Sequence, residues 1–165
     1  MDKGTLGPVT TAQWLLMFHV AAAFCFVGGS VAAGVLNVLA LRAERPSETA
    51  ALLRLVRRTL PVIYLGVTGT LIFGIALWHE QHYSLGAAWI WISLVLWVVA
   101  NALGGIGGSH QERSRKLAER LAGEGDTRSD ELHALLRDTK GLAVSYLAGA
   151  ATIAILVLMF WKPGS

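Results

Sequence analysis

Residues 4–41, GTLGPVTTAQWLLMFHVAAAFCFVGGSVAAGVLNVLAL, contain no Asp, Glu, Lys or Arg. This uncharged run of 38 residues is well above the roughly 20 apolar residues with which an α-helix crosses a hydrocarbon core about 30 Å thick. Working outward from it, three more charge-free windows follow, at 59–79, 81–111 and 141–161. The four windows together hold 111 of the 165 residues. Only 15% of the chain is charged and 54% is hydrophobic, where a soluble domain carries about 25% charge. Mean hydropathy is +0.53. A water-soluble globule is excluded. Lipid offers no partner to open backbone N–H and C=O groups, so each window reads as a helix. The chain is therefore expected to be an all-α, integral membrane four-helix bundle. It forms one membrane domain over residues 1–165, with spans at about 11–41, 60–79, 87–103 and 141–161.

The charges left between the windows give the topology. Residues 42–58 hold five arginines and 112–140 hold seven Lys or Arg, twelve of the fourteen cations in the chain. The outer turn HEQHYS, 79–84, has none. The positive-inside bias places the connections 42–59 and 104–140 in the cytoplasm, with both termini outside. Topology thus accounts for the net charge of +3 and the pI of 9.4, and nucleic acid is not an expected partner. Asp2 offsets Lys3, and the first apolar run is longer than a signal-peptide core, so a retained first span is expected. Trp14, Trp78, Trp89, Trp91 and Trp161 fall near the outer boundary as an interfacial belt, while Trp97 lies mid-span.

The connections read as short helical extensions. Pro46 and Ser47 predict a break and an N-cap ahead of a helix over 48–58. Pro61 sits near the start of the second span. After GGIGG (104–108) a separate polar helix, 110–122, is expected to place Leu117 and Leu121 on one face. Gly123, Gly125 and Asp126 read as a loop. Ser129 reads as the cap of a helix over 130–139, and Gly141 opens the fourth span. Small residues four apart suit close helix approach: Gly29 with Ala33, Ser30 with Gly34, then Gly66–Thr70–Gly74 and Gly141–Ser145–Gly149.

Among chemically active side chains, His19 stands out. It lies about 9 Å inside the first span, and ionisable groups within spans are functional suspects. A neutral imidazole can be the axial ligand of haem or bind a transition metal; it can equally bond to a neighbouring helix or relay protons. His79 and His82, one turn apart, could present two nitrogens to one metal ion, or simply belong to a solvated turn. His110 and His133 are expected at the surface, and Asn101 is expected to bridge helices. Tyr64, Tyr146 and Ser93 are further candidates for an interior lining. Cys25, the single cysteine, reads as a small buried apolar residue and excludes an intramolecular disulfide.

His19, Phe26 seven positions on, and Gly28-Gly29 together resemble the first-span pattern His-x6-Trp/Phe-x-Gly-Gly of a group of small bacterial four-span proteins. That group includes the membrane protoporphyrinogen oxidase HemJ, the copper-resistance D family and a large family of predicted integral membrane proteins of uncharacterised activity. The similarity extends to Arg57-x3-Pro61, Gly74, Trp89 and Lys162-Pro163. It implies a bacterial cytoplasmic (inner) membrane location and a cofactor site at His19, Phe26, Gly28 and Gly29, with haem b as the cofactor. The pattern of the porphyrin oxidase would put an arginine near Val35 and a lysine near Ser93. Without those cations, buried porphyrin propionates are costly. Met17 and Met159 are too few to suggest a copper site. The chain fits best the uncharacterised branch. Two functions are expected from these residues: a bundle that binds haem or a transition metal through His19, or an accessory or assembly subunit of a larger membrane complex or homo-oligomer. A transporter is disfavoured by the lack of acidic residues within the spans.

Overall fold

A computed structural model of the chain describes residues 10–81 and 88–161. The described residues form five helices: α1 (Thr11–Arg42), α2 (Pro46–Glu80), α3 (Ala88–Gly123), α4 (Asp130–Leu136) and α5 (Thr139–Trp161). The all-α class is as expected, and four stretches are long and apolar enough to cross a membrane: α1, α2, α3, and the stretch containing α4 and α5. The chain divides into two compact units. One takes α1 as far as Ala33 with α2 from Arg58 onward; the other takes Gly34–Arg57 with α3, α4 and α5.

The break expected at Pro46 is present, between α1 and α2, but the expected cap at Ser47 and the expected boundaries at Pro61 and GGIGG are not. α1 ends at Arg42 and Pro46 opens α2 at the first helical position, where its missing N–H costs nothing. Ser47 is therefore inside α2 and is not its cap. Its backbone N–H donates to Asp126 Oδ1 at 2.8 Å and its hydroxyl to Asp126 Oδ2 at 2.6 Å. Pro61 interrupts neither the extension nor the span: α2 runs through it. Only the donor to the Arg57 carbonyl is lost, beside two arginines at the polar boundary. GGIGG likewise lies within a continuous α3. Glycine weakens a helix in water because the freed backbone gains conformations and hydration there; in lipid an opened backbone has no alternative partner. Gly107 is used for packing: a Cβ there would lie 3.7 Å from Ser145 Oγ and 3.9 Å from Val144 Cγ1 of α5.

In the second unit, the polar ends of α2 and α3 meet α4. Ala50, Ala118 and Leu132 are buried together, with Leu117, Leu121 and Leu136 packed against them. The shared face expected for Leu117 and Leu121 is thus an inner one. Arg115 binds both Glu112, at 2.6 Å, and Glu119, at 2.7 Å, along α3, and Arg57 reaches Glu112 at 3.5 Å. The bidentate contact with Arg115 holds the Glu112 carboxyl below the usual carboxylate range. Ser129 caps α4 as its spacing predicts, accepting from the Leu132 N–H at 3.4 Å. The helix stops at Leu136, earlier than expected, because Asp138 caps the next one by accepting from the Gly141 N–H at 3.2 Å.

The loop between α3 and α4 contains two left-handed residues, Gly125 (φ 128°) and Asp126 (φ 52°). Aspartate tolerates this conformation better than most side chains, and here it turns the carboxylate onto Ser47. The two hydrogen bonds from Ser47, hydroxyl first, followed by the charge of Arg45, hold the Asp126 carboxyl below its ordinary range. A depressed carboxylate contributes stability that is present above its unfolded pKa and lost as pH falls through the folded one. Ser47→Ala and Asp126→Gly are expected to lower the melting temperature at neutral pH, and the double variant to lower it by less than the two effects combined. The gap between wild type and Ser47→Ala should close on acidification below the usual carboxylate range, as followed by circular dichroism in detergent. A gap independent of pH would contradict this assignment.

Candidate functional site

The candidate site is built by the first unit, where α1 and α2 approach closely. A Cβ at Gly66 would stand 2.8 Å from the Ala22 carbonyl oxygen and 2.8 Å from Phe26 Cα. One at Gly69 would meet Ala22 Cβ at 2.9 Å, and one at Gly29 would meet Ile63 Cγ1 at 2.8 Å. Backbone therefore lies against backbone, which is how helices associate in lipid without a hydrophobic driving force. Phe18 stacks on Phe73, with centroids 5.3 Å apart, and Trp14 stacks on Phe18 at 6.1 Å. Thr70 donates its hydroxyl to the Gly66 carbonyl at 2.7 Å and Ser30 to that of Phe26 at 2.8 Å, so neither leaves an unpaired O–H in the span.

His19 projects into this contact and is half-buried. Its Nδ1 lies 3.0 Å from the backbone carbonyl oxygen of Thr70. A carbonyl only accepts, so Nδ1 carries the proton and Nε2 keeps its lone pair. The Thr70 carbonyl lies mid-helix, where its first lone pair serves the ladder and the second takes the imidazole. Gly74 makes room for this: a Cβ there would sit 3.1 Å from His19 Cε1 and 3.3 Å from Nδ1. The small-residue stripe Gly66–Thr70–Gly74 is thus a docking track for α1 and a seat for the imidazole. The stripe was visible in the sequence, but its link to His19 was not, because it joins residues 51 positions apart.

The other expected residues divide. Phe26 is half-buried against Gly66, and Gly29 meets Ile63, but Gly28 has open space around it. His79 is exposed at the end of α2, and His82 lies outside the described residues. Among the described residues no three His, Cys, Asp or Glu side chains converge. Cys25 is exposed, contrary to the expectation of burial. Tyr64 and Tyr146 also face outward, whereas Ser93 is buried. Asn101 does not bridge helices; its amide donates to the Trp97 carbonyl one turn earlier on the same helix, at 2.7 Å. His110, expected at the surface, is half-buried. Its Nε2 donates to the Leu135 carbonyl at 2.9 Å, and its ring packs over Gly141.

Fold and sequence together define an integral membrane protein with four candidate spans. The chain belongs to the family described as predicted integral membrane protein (DUF2269), whose model matches residues 13–163. No curated protein and no solved structure matches it, so the likeness to the porphyrin oxidase and copper-resistance branches rests on the residue pattern alone.

Gly66→Ala is expected to destabilise the α1–α2 contact by about 1–3 kcal/mol, because its Cβ meets backbone that cannot turn aside. Gly34→Ala and Gly149→Ala, with nothing within 4 Å, should stay within about 0.5 kcal/mol of wild type. Unfolding of each variant by SDS in mixed micelles measures the difference.

Proposed function

We propose that this protein holds haem b, or a transition-metal ion in the same place, through Nε2 of His19. The observation that carries this reading is the 3.0 Å hydrogen bond from Nδ1 to the Thr70 carbonyl. A ligating histidine typically donates its other ring N–H to a carbonyl or carboxylate, which fixes the tautomer and makes the ligating nitrogen more basic. His19 has that arrangement within a span, and Gly74 leaves the ring its space. Haem so bound would supply one-electron chemistry or be carried as cargo. The chain's own part is to fix the imidazole, keep its proton on Nδ1 and exclude water with Phe18, Phe73 and Trp14. Val35 and Ser93 offer no cation for propionates, so the reading is of haem or metal binding without porphyrin oxidation.

The distribution of cations supports placing the protein in a bacterial cytoplasmic membrane, with the arginine-rich ends of α2 and α3 inside and both termini outside. The protein purified in mild detergent is expected to show a Soret band. His19→Ala should abolish it. Gly74→Ala, which crowds the ring without removing it, should reduce it less. A wild type that is colourless and stays so after haem addition, with no metal by elemental analysis, overturns the reading. Recovery of that colourless protein with a stoichiometric partner would put an accessory subunit in its place.

A further inference from the structure

We propose a second site in this protein, independent of His19: a pocket for the phosphate of an anionic phospholipid, between α3 and the start of α5. A cavity of about 290 Å³ opens there, with Ser109, His110 and Arg113 on one wall and Asp138, Lys140 and Val144 on another. Its height in the molecule is set by the sequence. Ile106, Gly107 and Val144, which also line it, belong to charge-free windows, whereas Arg113 and Lys140 lie just beyond the ends of those windows. From Ile106 to Arg113 is about 10 Å along a helix. The cavity therefore passes from apolar to cationic over the depth at which a phospholipid passes from acyl chain to phosphate.

The charges of the lining suit a monoanion. Arg113 and Lys140 are exposed and make no salt bridge among the described residues. The other cations of the α3 extension, Arg115, Lys116 and Arg120, all have carboxylate partners. Asp138 is the one carboxylate in the wall, and its Oδ2 accepts from the Gly141 N–H. Two cations against one carboxylate leave a single positive charge, which a phosphodiester with no cationic headgroup balances. Ser109 gives its proton to the Ile106 carbonyl at 2.7 Å, and His110 is held by Leu135. The wall is thus fixed by bonds of its own, and the two cations are left for the ligand. Basic pockets between spans at the membrane boundary are suited to anionic headgroups, each cation near the surface adding an attraction that salt weakens.

The test is native mass spectrometry of the full chain in mild detergent. It is offered equal amounts of phosphatidylglycerol and phosphatidylcholine with the same acyl chains. One retained phosphatidylglycerol is expected, in clear excess over phosphatidylcholine. In the double variant Arg113→Gln/Lys140→Gln its retention should fall by about thirtyfold, as expected for two cations at a surface. Arg54→Gln/Arg128→Gln, which removes two exposed cations outside the cavity, should leave retention unchanged. Equal retention of the two lipids by wild type, or equal losses in the two double variants, overturns the proposal. Displacement of the lipid by excess inorganic phosphate would make this a soluble-anion site and overturn the lipid assignment. The wild-type headgroup comparison needs no variant, so it stands even if a substitution impairs folding.

Discussion

The absence of water from hydrocarbon is the constraint on which the rest of this structure depends. It forces every span to satisfy its own backbone, and it removes the hydrophobic effect as a force between spans. The molecule shows both consequences. Large apolar side chains in the spans stay open to the surroundings, as with Phe24 at 74% and Leu65 at 72% exposure. Full burial is concentrated where α2, α3 and α4 leave the apolar windows: Ala118 is 0% exposed, Ala50 2% and Leu132 3%. Within the membrane the helices are held by shape, with Gly29, Gly66 and Gly69 letting α1 and α2 touch. Beyond it the helices are held as in a soluble protein, by an apolar core, capped termini and the Glu112–Arg115–Glu119 ion pairs.

The same constraint explains the form of the candidate site. An imidazole in a span must find a partner, and helical neighbours offer few, since their carbonyls are engaged in the ladder. A carbonyl has two lone pairs, however, and the second is reachable if the residue one turn on has no side chain. Thr70 followed by Gly74 provides this. A histidine held in this way has its tautomer set by the neighbouring helix, with the proton on Nδ1.

The sequence was most informative where one local property decides the outcome. Runs without charge fixed the number of spans, and the spacing of Leu117 and Leu121 gave the buried face of α3. Ser129 stands one residue before Asp130, where a cap belongs. Local rules give way where a distant partner or the solvent overrides them. Ser47 looks like a cap, but Asp126, 79 positions away, claims both its N–H and its hydroxyl. GGIGG and Pro61 look like breaks by rules learned in water. His110 looked like a surface residue because of its charged neighbours, yet the carbonyl at the end of α4 holds it. The seat of His19 was half legible: histidine and glycine stripe were each visible, but only the register of α1 against α2 joins them.

The uninterrupted course of α3 has a mechanical side. Its 36 residues make a rod about 54 Å long, with α5 alongside it within the membrane and α4 against its far part. A rod of that length is a lever: a tilt of about 5° about one end sweeps the other through roughly 5 Å. A push on the lipid-embedded half of α3 therefore meets no break in the helix before the small core outside.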